Sequence, residues 1–74
     1  MKFILILWVC SFLPGQALTC FPPMKFPVIY NSWYECSVGA HTQSKKVLAT
    51  ISFKRVNDMR MGTKYQCEEI GDNI

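Results

Sequence analysis

The chain opens with Lys2 and a nearly unbroken apolar run from Phe3 to Leu13, interrupted only by Ser11. A basic start, a short apolar stretch, the Pro14-Gly15 break and small residues at Gly15 and Ala17 predict an export signal over 1–17, cut after Ala17. The run is far shorter than the roughly 20 residues that cross a bilayer as a helix, so no stable membrane anchor is expected. Behind it, Pro22, Pro23 and Pro27 forbid helix and predict an extended, Pro-rich arm over 18–32, lying along the surface with its aromatics against the core.

From Val28 onward the pattern turns β-branched and aromatic. Val28-Ile29-Tyr30, the turn-forming Asn31-Ser32 and then Trp33 to Val38 predict a strand over 33–38 with Tyr34, Cys36 and Val38 facing inward. The next stretch, Thr42 to Val56, reads in two ways. Alternation puts Val47, Ala49, Ile51 and Phe53 on one face and Thr50, Ser52 and Lys54 on the other, which favours a strand. A helix capped by Thr42 or Ser44 would present Val47, Leu48 and Ile51 but leave Phe53 and Val56 on the far side. Asn57 to Thr63 reads as turn and loop, and Lys64 to Cys67 as a last short strand before a polar tail.

Tyr34-Glu35-Cys36 and Tyr65-Gln66-Cys67 repeat one Tyr-x-Cys pattern. In extended backbone, residues two apart share a face, so each tyrosine would enter the core beside its cysteine, and a Cys36–Cys67 disulfide would join the two segments. A domain over 33–74 is too small to rest on its core alone, and an exported chain has a disulfide available. With Cys10 removed in the signal, Cys20 is left over: free, bonded to another chain, or missing a partner.

The chain carries a formal charge of +3, and the cations concentrate in the middle. Lys45, Lys46, Lys54 and Arg55 are the candidate binding residues, set before an acidic end of Glu68, Glu69 and Asp72. Catalytic parts are scarce. His41 is the only histidine, no Cys-x-x-Cys motif occurs, and no glycine-rich loop precedes a helix, so neither a catalytic residue, a metal site nor a cofactor is expected.

Tyr34-Glu35-Cys36 soon after an export signal resembles the motif of the small secreted fungal Y/F/WxC effector candidates, whose fold is similar to that of guanyl-specific fungal ribonucleases. The resemblance implies a helix over the Ser44–Val56 stretch, a small disulfide-stapled α+β domain and a partial ribonuclease-like fold. Where the ribonuclease pattern places Pro-His after its tyrosine, this chain has Gln66-Cys67, and it ends before the later catalytic strands. The implied function is therefore that of a secreted, extracellular or host-directed, non-catalytic protein that binds a host protein or RNA. A second pattern, Tyr34-x-Cys36 with Tyr65-x-Cys67, is similar to the two cysteine strands of immunoglobulin-like domains, but the interval is short and no tryptophan lies between the cysteines. That alternative implies a disulfide-stapled extracellular interaction peptide.

Overall fold

The computed structural model describes residues 1–71 as a small α+β protein with four strands and two helices. Its central strand is β1, Lys2–Ser11, the stretch expected to leave as an export signal. The fold is thus that of the uncut chain. Among the described residues, six of the nine buried hydrophobics, Phe3, Leu5, Ile6, Leu7, Val9 and Cys10, belong to this strand, so it carries most of the core. Removal after Ala17 would take that strand away.

The segment expected as a surface arm is extended but joins the sheet. Thr19–Cys20 forms β2 and Met24–Tyr30 forms β3, both antiparallel to one side of β1. The register of β3 shifts between Ile4 and Ile6 of β1, close to where Pro27 removes a backbone donor. Phe26 packs against the core, whereas Phe21 stays exposed. Cys10 faces Cys20 in this register and is bonded to it, which gives Cys20 a partner in the uncut chain.

Trp33–Val38 is not a strand. It opens α1, Trp33–Thr50, which continues through most of the ambiguous stretch. Ser32 is the reason: its hydroxyl accepts from the Glu35 backbone N–H at 3.1 Å, and the Glu35 carboxylate accepts from the Asn31 N–H at 3.2 Å. This pairing is close to a capping box and starts a helix where β propensity alone predicts a strand. With a period of 3.6, Cys36 and Ala40 face the sheet and are fully buried, while Tyr34 and Val38 point to solvent, contrary to the inward facing expected of them. Gly39 lets the helix approach closely, because a Cβ there would lie 2.5 Å from the Tyr30 hydroxyl. Both cysteines on strands is what an immunoglobulin-like arrangement needs, and Cys36 on a helix excludes it.

α1 ends before Ile51, and Ser52 caps a second short helix, α2, Phe53–Met59, by accepting from the Arg55 N–H at 3.2 Å. The stretch Asn57–Thr63 expected as turn and loop is divided instead: Asn57–Met59 end α2 and Met61–Thr63 begin the last strand. Arg60, in the left-handed conformation at φ 52°, makes the reversal into the last strand. That strand, β4, runs over Met61–Ile70 and includes the predicted Lys64–Cys67 segment. It is antiparallel to β1 on the side away from β2 and β3, in one continuous register from Lys2↔Ile70 to Ser11↔Met61. Cys67 is bonded to Cys36, closing α1 onto the middle of β4. Asp72 lies outside the described residues.

Candidate binding surface

The sheet has two unlike faces. On one, α1 covers Phe3, Leu5, Tyr30, Tyr65 and Cys67, and polar pairs fasten the helix along its length. The Ser37 and Tyr65 hydroxyls share a hydrogen bond at 2.9 Å, and the Thr63 hydroxyl donates to Ser44 at 2.8 Å. His41 sits edge-on to the Tyr65 ring, with centroids 5.7 Å apart. On the other face lie Ile4, Ile6 and Trp8 of β1, flanked by Lys64, Gln66 and Glu68 of β4; the Lys64 ammonium rests 5.0 Å from the centre of the Trp8 ring.

The four candidate binding cations occupy the helical end of the molecule and are all exposed. Lys54 and Arg55 sit in the first turn of α2 and line one shallow hollow with Ser52, Asp58 and Met59. Lys45, near the end of α1, lines a neighbouring apolar hollow with Leu48, Ile51, Phe53 and Val56. Lys46 borders neither hollow. The structure therefore brings Lys54 and Arg55 to one hollow and Lys45 to another, with Lys46 outside both.

Phe53 is the residue that the sequence pattern misplaces. Alternation assigns it to a buried strand face, yet it is 87 % exposed, at the first position of α2 and on the wall of the hollow that Lys45 borders. Ser52 explains this. As an N-cap it begins a new helix at Phe53, so the earlier alternation no longer decides where that ring points.

Arg55 also reaches a third feature, a mostly apolar cleft of about 240 Å³ between the β1–β2 connection and α2. Leu13, Cys20, Phe21 and Met59 line it, and Arg55 is its only charged lining residue. Setting residues 1–17 aside as an export signal conceals this cleft, because Ser11, Leu13 and Gln16 form part of its wall. Among the described residues, no group of three or more His, Cys, Asp or Glu side chains could hold a metal ion, and no helix is long and apolar enough to cross a membrane.

Comparison with known proteins finds no matching family model, no matching curated protein and no matching solved structure.

Proposed function

We propose that the chain is a secreted, effector-like protein without enzymatic activity that acts by binding a negatively charged host partner, with the Phe53-Lys54-Arg55 corner as its contact surface. The observation that carries this reading is a bare aromatic ring at 87 % exposure that shares a hollow with Lys45 and is followed directly along α2 by the exposed Lys54 and Arg55. An exposed aromatic ring next to cations suits a ligand that offers both a flat apolar face and anions. Single-stranded RNA has that chemistry: a base stacks on the ring while neighbouring phosphates meet the cations. An acidic patch on a host protein meets the cations equally well but makes less specific use of the ring.

Two further points support the same reading. Two disulfides suit an oxidising compartment. The resemblance to the Y/F/WxC effector candidates, with their ribonuclease-like fold, implies a binding role, and the position that holds a histidine in the ribonucleases is here Cys67, which is disulfide-bonded.

The test is binding of a labelled single-stranded RNA by fluorescence anisotropy over a range of salt. The expected result is binding that weakens steeply with salt, because phosphate neutralisation releases counterions. Lys54→Glu combined with Arg55→Glu should weaken it by about tenfold or more. Binding that ignores both salt and this charge reversal would reject the corner as the site, and no binding at low salt would reject RNA as the partner.

A further inference from the structure

The sheet has two free edges, and they are built differently. The β3 edge contains Pro27 and a register shift, two devices that spoil a template for further strands. The β4 edge has neither. It is 10 residues long, lacks proline, and runs beside β1 without a shift. Among the described residues, no strand lies on its far side.

The hydrogen-bond pattern shows which backbone groups face outward. The Phe12 N–H donates to the Arg60 carbonyl at 2.9 Å, extending the β1–β4 register by one hydrogen-bonded pair. Such pairs alternate in an antiparallel ladder, so Gly62, Lys64, Gln66 and Glu68 turn their backbone groups toward β1. Thr63, Tyr65, Cys67 and Glu69 then turn theirs outward. The Phe21 N–H donating to the Val9 carbonyl at 2.8 Å, on the opposite side of β1, fits the same alternation.

We infer that this edge pairs with the β4 edge of a second copy of the chain, antiparallel across a two-fold axis at Gln66. Two-fold symmetry and the outward groups allow only registers that match odd-numbered residues with odd-numbered ones. In the register centred on Gln66, Tyr65 pairs with the partner's Cys67 and Thr63 with the partner's Glu69, all through outward-facing backbone. Lys64 then stands directly opposite the partner's Glu68 on the open face, twice by symmetry. Sliding the copies by one allowed step either way sets Lys64 against the partner's Gln66 or the partner's Ile70 instead. Sliding further sets Lys64 against the partner's Lys64, or Glu68 against the partner's Glu68. Only the Gln66-centred register joins opposite charges without also opposing like ones, and directly opposed charges of unlike sign stabilise a strand pair while like signs oppose it. Adding strands in this way requires no new element, only the backbone donors and acceptors that β4 leaves unused.

Sedimentation equilibrium on the oxidised full chain, across micromolar to millimolar concentration, tests this. A reversible dimer is expected. Lys64→Glu or Glu68→Lys alone converts two attractive pairs into repulsive ones and should weaken the dimer by about tenfold or more, and the two together should restore it. Gln66→Cys supplies a second readout that does not depend on affinity: at the axis the two introduced thiols face each other, so mild oxidation should give a disulfide-linked dimer with the far-ultraviolet spectrum unchanged. A monomer throughout the range, a dimer indifferent to both single reversals, or failure of the introduced thiols to cross-link would each overturn the proposal.

Discussion

The hydroxyls of Ser37 and Tyr65 meet at 2.9 Å, one residue from Cys36 on α1 and two from Cys67 on β4. This half-buried hydrogen bond and the disulfide beside it fix the same two elements, one by direction and the other by covalent closure. Tyr65→Phe leaves the Ser37 hydroxyl without this partner and should cost about 0.5–1.5 kcal/mol. A double-mutant cycle with Ser37→Ala, read by urea denaturation, should give a coupling of similar size; additive effects would mean that the two hydroxyls do not interact.

The second prediction concerns β1. Burying a large apolar side chain contributes about 1.5–3 kcal/mol, and β1 supplies six of the nine buried hydrophobics among the described residues. Their combined loss matches or exceeds the roughly 5–15 kcal/mol by which a whole domain is stable. A polypeptide of residues 18–74 should therefore show no cooperative thermal transition, whereas the full chain should. A sharp transition from 18–74 would mean that β3, β4 and the helices find another core without β1.

Arg60 holds a left-handed backbone at φ 52° that a residue with a Cβ adopts at a cost. Arg60→Gly should stabilise the fold by about 0.5–1 kcal/mol. The check is an upward shift of the denaturation midpoint with an unchanged slope; a downward shift would mean that the guanidinium makes a stabilising contact larger than the strain.

Phe53 separates binding from folding. At 87 % exposure it loses little packing on truncation, so Phe53→Ala should change stability by less than about 0.5 kcal/mol. The same variant should weaken RNA binding by about 1–3 kcal/mol if a base stacks on the ring. Loss of stability without loss of binding would remove Phe53 from the contact surface.

Parts of this architecture are legible from residue pattern alone, and the failures have physical causes. The Cys36–Cys67 bridge and a closing strand through Cys67 follow from paired cysteines in a small chain. The repeated Tyr-x-Cys pattern predicts both cysteines on strands, whereas Cys36 reaches its partner from a helix. Ser32 and Glu35 held the missing signal, a cap and its partner three residues on, which outweighs the β propensity of Trp33, Tyr34 and Val38. Val47 and Leu48 are both half-buried while Ala49 is exposed, a helical pattern that the alternating count over the same residues obscured. The run from Phe3 to Cys10 poses a different problem. A central strand apolar on both faces loses its period of two and becomes a continuous hydrophobic run, the same pattern an export signal shows. Charge density points to Lys45, Lys46, Lys54 and Arg55 alike, and only the start of α2 shows that Lys54 and Arg55 line one hollow and directly follow an exposed ring.

At the centre of this account, the Cys36–Cys67 bond ties α1 to β4 and stabilises a small fold. In the chain-entropy description, closing a loop across a separation of 31 residues contributes about 3–4 kcal/mol. Peptide mapping of the unreduced, alkylated protein by mass spectrometry tests it most directly. The predicted result is a Cys36–Cys67 cross-linked peptide, with Cys10 linked to Cys20 in the uncut chain. Recovery of Cys36 and Cys67 as alkylated free thiols from a protein that still unfolds cooperatively would contradict it.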